Sequence, residues 1–193
     1  MQFNSECPIY WTTLRNPTHP PAMTRPHKQA GFTLIELVVV VSILSILAGA
    51  ITPMMQKQLL KARDARRITD IQAVCEAIDN YYADTGTWPA ANANPSFGGW
   101  DVSHDGNFIG ELRAEGYLLE DVRDPTNDAT FHYRYYVYNQ GSFNCQGETS
   151  FYVIGIRNFE TEDYENKNVG YFQCSGRNWG DEFAYVTGGG ASN

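Results

Sequence analysis

Glu36 is the residue whose placement most constrains the chemistry of this chain. It is a single carboxylate followed by nineteen consecutive uncharged, mostly apolar residues, Leu37 to Met55. At about 1.5 Å of helical rise per residue, that run covers roughly the 30 Å hydrocarbon core of a bilayer. A carboxylate taken deep into lipid costs about 2.5 to 3.5 kcal/mol, so Glu36 either snorkels to the interface or meets a cation. The other reactive side chains form no catalytic set. His104 and His132 are the only histidines after residue 31, and neither lies in a motif; a surface or strand-face role is expected for both. The chain has no Cys-x-x-Cys and no His-Glu-x-x-His, and the triplet Gly188, Gly189, Gly190 lacks the lysine and following helix of a phosphate loop. Asp121, Asp124, Asn127 and Asp128 make an oxygen-rich turn. Its spacing is not that of an EF-hand loop, and ordinary turn chemistry accounts for it. An enzyme is not expected.

The elements that position these residues follow from periodicity. Beyond Pro53 the pattern becomes amphipathic: Ile68, Ile71, Cys75, Ile78 and Tyr82 recur at spacings of three and four, widened by Val74 and Tyr81, with Arg67, Asp70, Glu76 and Asp79 off the stripe. One helix of about 54 residues, roughly 80 Å long, would join an apolar half to a half that faces a globular domain. Gly86 is its expected cap, with Pro89 preventing continuation. Gly49 and Pro53 are its weak points, where local unwinding is expected on leaving lipid. From Thr87 to Thr130 turn formers dominate, with a short helix expected from Asn107 to Glu115 closed by Gly116. Alternation in Phe131 to Tyr138 predicts a strand; Thr149 to Asn158, Val169 to Cys174 and Phe183 to Val186 read as further strands, and residues 188–193 as a mobile tail. The fold class is α+β: a long N-terminal helix packed on a small antiparallel sheet of three to four strands.

Gly31-Phe32-Thr33-Leu34-Ile35-Glu36, followed by the apolar run, resembles the type IV pilin and type II secretion pseudopilin family. The likeness is dense from Gly31 to Pro53 and looser downstream. It implies that a prepilin peptidase cuts between Gly31 and Phe32 and methylates the new N-terminus. It also implies that Glu36 is the family's acidic residue, that Pro53 is the proline interrupting the helix, and that the chain polymerises with like subunits. By resemblance, the chain is held in the inner membrane with its head outside the cytoplasm, engages an inner-membrane assembly platform and the lipid bilayer, and then enters a pilus or periplasmic pseudopilus. In a staggered filament, Glu36 of one subunit would meet the Phe32 ammonium of the next. Major pseudopilins are known for calcium in their sheet region, so calcium near Asp121, Asp124, Asn127 and Asp128 is the one cofactor the resemblance raises.

The expected organisation is a leader over 1–31, a membrane or filament-core helix over 32–55, its amphipathic continuation over 56–86, a head over 87–187 and a tail over 188–193. Met23 offers an alternative start that leaves a short basic leader. A competing parse takes Ala48-Gly49-Ala50 as an ordinary signal-peptide site, cleaved after Ala50, which would give a secreted or membrane-anchored binding domain that never polymerises. Arg25 and Lys28 before the span against Lys57, Lys61, Arg63, Arg66 and Arg67 after it point the other way from the resemblance on topology; the expectation follows the resemblance.

Losing residues 1–31 removes three Lys or Arg and one Glu, moving the formal charge from −8 to −10. Nucleic-acid binding is disfavoured by that balance. The basic residues from Lys57 to Arg67 either form a solvated face near the membrane surface or meet acidic heads of neighbouring subunits. In an exported head, Cys145 and Cys174, both beside predicted strands, are the expected disulfide, with Cys75 a buried small hydrophobe; Cys75 pairing with one of them is the alternative.

Overall fold

The computed structural model describes residues 31–147, 149–165, 170 and 172–190. The leader before Gly31, with Met23, lies outside the described residues, as do Val169, Tyr171 and the end of the tail at 191–193. The chain divides into two compact units, at Leu44 and Ser45.

In the first unit, helix α1 (Leu34–Thr85) begins. Its apolar side chains there, from Leu34 to Leu44, are solvent-exposed. The Ser42 hydroxyl donates to the Val38 carbonyl at 2.7 Å, so the helix satisfies its own polar group along an apolar stretch. By length and composition α1 is long and apolar enough to cross a membrane.

The second unit holds the rest of α1, which runs unbroken through Gly49 and Pro53. Proline removes one backbone hydrogen bond and crowds the carbonyl four residues earlier, here that of Gly49, yet the helix continues through both. Of the predicted stripe, Ile71, Val74, Ile78 and Tyr81 are buried on one face of α1, joined by Ala77, while Ile68, Cys75 and Tyr82 are only partly buried at its edges; the helix stops at Gly86, whose φ of +74° lets its N–H reach the Tyr82 carbonyl at 2.8 Å.

That face packs on an antiparallel sheet ordered β1–β2–β3–β6, made of β1 (Asp101–Val102), β2 (Tyr133–Tyr138), β3 (Phe151–Ile156) and β6 (Tyr185–Gly189). Registry pairs Tyr133 with Ile156 and Tyr138 with Phe151 across β2 and β3, and Ile154 with Thr187 across β3 and β6. Alternation sorts the side chains. Tyr133, Tyr135, Tyr152, Ile154 and Ile156 join the α1 residues, Phe108, Ile109 and Leu112 in one core. Phe151 and Val153 face the other way, into a second core of Trp100, Trp179, Phe183 and Val186. β3 is therefore buried at every position, as a central strand covered on both faces must be. Its Gly155 is required by close approach: a Cβ would lie 2.6 Å from the Tyr185 carbonyl oxygen and 2.7 Å from the Phe183 ring.

The second core is covered by a two-stranded ribbon, β4 (Gln173–Cys174) and β5 (Arg177–Asn178), rather than by a sheet strand running from Val169. The expected tail is also corrected: Gly188 and Gly189 belong to β6, opposite Val153 and Tyr152, because glycine alone fits there, a Cβ on Gly188 falling 2.3 Å from the Tyr152 carbonyl oxygen. The short helix is α2 (Gly110–Ala114), beginning later than the sequence suggests and followed by Gly116 at φ +83°. A further single turn, α3 (Glu162–Glu165), follows β3.

Candidate functional site

The mouth of α1 carries the sequence-predicted processing and assembly residues. Gly31 and Phe32 precede the helix, and Phe32 is 90% exposed, so the bond between them lies in accessible, non-helical backbone. Thr33 and Glu36 then form a reciprocal cap. The Glu36 Oε2 accepts from the Thr33 N–H at 2.9 Å and from its hydroxyl at 2.8 Å, while the Thr33 Oγ1 accepts from the Glu36 N–H at 3.3 Å. This is a capping box, Ser/Thr-x-x-Glu, which satisfies two of the N–H groups a helix leaves open at its start. Phe32, Ile35, Glu36, Val39 and Val40 line a shallow apolar groove whose polar member is the Glu36 carboxylate. An anion in the first helical turn is also favoured by the helix dipole. The site thus holds a carboxylate in a fixed orientation beside an exposed apolar face, an arrangement suited to receiving a cation together with apolar side chains. Pro53 lies within α1, further along the same exposed stretch.

The other polar centre is one whose charged residue types read as exposed in the sequence. Arg67, placed off the stripe in the sequence, is fully buried, as is Asp64. Its guanidinium donates to both Asp124 oxygens, at 2.7 and 2.9 Å, to Asp64 at 2.6 Å and to the Thr126 hydroxyl at 3.1 Å, and its charge lies 3.6 Å from Glu160. The ring of Phe131 lies 5.0 Å from it. Burial works against the guanidinium charge, but the bonds and charge of Asp124, with Asp64 and Glu160, outweigh it and hold Arg67 above its ordinary pKa. Asp70 is half-buried, taking a 2.9 Å bond from the Tyr133 hydroxyl.

The oxygen-rich turn is therefore divided among separate tasks. Asp124 pairs with Arg67 and accepts from the Thr126 and Asn127 N–H groups; Asp121 pairs with Arg123 at 2.9 Å; Asn127 bonds the Ser103 hydroxyl; Asp128 accepts from the Thr130 and Phe131 N–H groups. No grouping of three or more His, Cys, Asp or Glu able to hold a metal occurs among the described residues.

His132 departs from the surface or strand-face expectation. It is fully buried, donates from Nδ1 to the Asp128 carbonyl and accepts from Arg134 Nε at 2.9 Å. Burial, then the nearby Arg134 charge, push its pKa down to about 4, so the ring is neutral. His104 is exposed. Asp101, unremarked in the sequence, is fully buried; its Oδ2 accepts from the Asn92 and Ile109 N–H groups, its Oδ1 has no partner among the described residues, and burial pushes its pKa up to about 7.

Cys145 and Cys174 are bonded, as expected. Cys75 is free and only partly buried, with burial pushing its thiol up to about 11.

The described residues thus hold an exposed apolar stretch of helix opened by a Thr-x-x-Glu box, and a small antiparallel sheet. The family described as the prokaryotic N-terminal methylation motif matches residues 26–52. The chain is 40% identical over 70 residues to the type II secretion system core protein G of Vibrio cholerae, covering 36% of this chain and 48% of that protein. It is 29% identical over 99 residues to the type IV major pilin protein PilE of Neisseria gonorrhoeae, covering 51% and 59%. It is 38% identical over 65 residues to the fimbrial protein EcpC of Eikenella corrodens, covering 34% and 42%. The chain spans about half the length of these curated relatives. No solved structure matches significantly. The chain thus carries a prokaryotic N-terminal methylation motif and is similar, over its N-terminal helix and part of its head, to type IV pilins and a type II secretion core protein.

Proposed function

We propose that this chain is a structural subunit of a type IV pilus or a type II secretion pseudopilus, cut by prepilin peptidase between Gly31 and Phe32, N-methylated at Phe32 and polymerised through residues 32–55. The observation that carries this is the Glu36 carboxylate, held by Thr33 beside the exposed groove of Phe32, Ile35, Val39 and Val40 at the mouth of α1. Side chains of this kind stay out of water only in lipid or against other helices. Before assembly the helix spans the inner membrane with the head outside the cytoplasm; on extraction through the assembly platform it exchanges lipid for neighbouring helices, with unwinding near Gly49 and Pro53 at that step. In the filament, Glu36 of one subunit neutralises the Phe32 ammonium of the next, which removes two uncompensated charges from the bundle and sets its register.

The decisive measurement is N-terminal peptide and intact-mass spectrometry of the membrane-associated protein from its native host. A chain beginning at N-methylated Phe32 is the expected result. A chain beginning at Ile51 would mean an ordinary signal peptide and a domain that does not polymerise, and would overturn the proposal.

A further inference from the structure

The face of the sheet turned away from α1 carries a groove. Tyr136 and Tyr138 of β2 and Phe143 of the following loop, with Val137, Asn139 and Ser142, line an open depression of about 340 Å³. That volume lies at the small end of ligand sites.

Its aromatic wall is fixed from behind. The Tyr138 hydroxyl accepts from Arg177 at 3.3 Å and from the Trp179 indole N–H at 3.4 Å. The Arg177 guanidinium lies 4.9 Å from the centre of the Phe143 ring and 5.2 Å from Trp179, and is itself paired with Glu182 at 2.5 Å. Tyr136 is backed by Trp100, their ring centres 5.6 Å apart. Phe143 sits in the left-handed region at φ +56°, a strained conformation for a bulky residue, and is kept there by the Gly176 N–H on its carbonyl at 2.9 Å and by the Cys145–Cys174 bond two residues on. The ring remains 39% exposed. Such a wall loses little freedom when something binds.

The rim is polar and unspent. The Tyr136 hydroxyl, the Asn139 amide and the Ser142 hydroxyl make no side-chain hydrogen bond to any described residue, whereas the Tyr138 hydroxyl and Arg177 behind them are fully engaged. Fixed ring faces beside free hydroxyl and amide groups complement a molecule with C–H faces and hydroxyl edges. With Arg177 neutralised by Glu182, the groove offers no charge to attract an anion.

We propose that this groove binds a neutral saccharide of one or two rings, stacked on Tyr136 and Phe143 and hydrogen-bonded by Asn139 and Ser142. The site rests on the head alone and goes beyond the filament reading. To test it, the full chain in a non-glycosidic detergent is titrated with N,N′-diacetylchitobiose, cellobiose and lactose and followed by saturation-transfer NMR. Transfer from the protein to at least one of these sugars is expected, weakened about tenfold by Tyr136→Ala or Asn139→Ala, each removing a stacking face or a hydrogen bond. Asn139 is exposed, so its variant keeps the fold and separates lost binding from lost structure; Leu119→Ala, remote in the loop region, should bind as the parent does. No transfer from any of the three sugars, or equal transfer in both groove variants, would overturn the proposal. So would capture of an aromatic peptide in place of sugar, or groove variants that disturb filament assembly in a chain that binds none of the sugars.

Discussion

Arg67 and Asp124 meet as a two-pronged pair, Nε to Oδ2 at 2.7 Å and Nη2 to Oδ1 at 2.9 Å, with both side chains fully buried. Asp64, one turn before Arg67 on α1, completes the cluster: it accepts from Arg67 and also from the Glu160 and Thr161 N–H groups and the Thr161 hydroxyl, at 2.9, 3.0 and 2.7 Å. One helical turn is thereby tied to the loop before β2 and to the loop after β3. Apolar contacts hold the helix to the sheet without directional preference; these bonds set how far along the sheet it lies.

Breaking such a pair leaves a buried charge without its partner. Arg67→Ala should destabilise the head by about 3 to 5 kcal/mol. Arg67→Lys should recover only part of that loss, because an ammonium cannot reproduce the parallel bonds of the guanidinium fork. Denaturant unfolding of the full chain, followed by tryptophan fluorescence, measures both; a loss below about 1 kcal/mol for Arg67→Ala would contradict a fastening role.

His132 and Asp101 tilt the pH dependence of stability in opposite directions. His132 titrates at about 4 in the folded chain and near the ordinary histidine value of 6.5 when unfolded, so the unfolded state takes up protons first and stability falls as pH drops from about 6.5 to about 4. Asp101 titrates at about 7 when folded against 3.8 when unfolded; its contribution is greatest at low pH and is lost as pH rises through that window. Each slope can reach about 1.4 kcal/mol per pH unit. Relative to the parent, Asp101→Asn should show stability rising more steeply with pH between 4 and 6.5, and His132→Asn should show it rising less or falling. Parallel profiles for all three proteins would refute the assigned protonation states.

The fold was legible wherever periodicity ran long. Ile71, Val74, Ile78 and Tyr81 repeat at helical spacing, and the alternating tyrosines of β2 sort correctly between two cores. Residue type, not position, hid the Arg67 cluster. Arg67, four residues before Ile71, and Asp64, three before Arg67, extend the same series backwards, but charged side chains read as exposed unless a partner is known, and the partners lie in distant loops. β1 escaped notice because two residues carry no pattern. The Thr33-x-x-Glu36 signature was in plain view, masked by a stronger expectation for Glu36 at the membrane.

The Cys145–Cys174 bond joins the loop after β2 to the ribbon covering the second core, across a separation of 29 residues. Replacing both cysteines with alanine should cost about 3 kcal/mol in the chain-entropy account. Because Phe143 depends on the same loop, the double variant should also expose Trp179 to collisional quenchers. In the parent, peptide mapping without reductant should recover Cys145 linked to Cys174 and Cys75 as a thiol that labels slowly near pH 8, since burial raises it to about 11. Recovery of Cys75 in a disulfide would contradict this assignment.

Glu36 has two roles that substitution can separate. As the closing residue of a capping box, at the third helical position, it needs to be an acceptor for the Thr33 N–H and hydroxyl; as the charge that meets a neighbour's Phe32 ammonium it needs to be an anion. Glu36→Gln keeps the first and loses the second, whereas Glu36→Val loses both. Capping is worth about 0.5 to 2 kcal/mol, a small part of what holds a long apolar helix in lipid, so both variants should insert in membranes as the parent does. Filament assembly, scored by electron microscopy and by sedimentation of sheared fibres, should fail or lose register in both, and reducing the charge alone should be enough. Normal filaments from Glu36→Gln together with failure of Glu36→Val would transfer the role to the cap, since only the hydrogen bond survives in the first and not in the second. Normal filaments from both would remove Glu36 from assembly altogether.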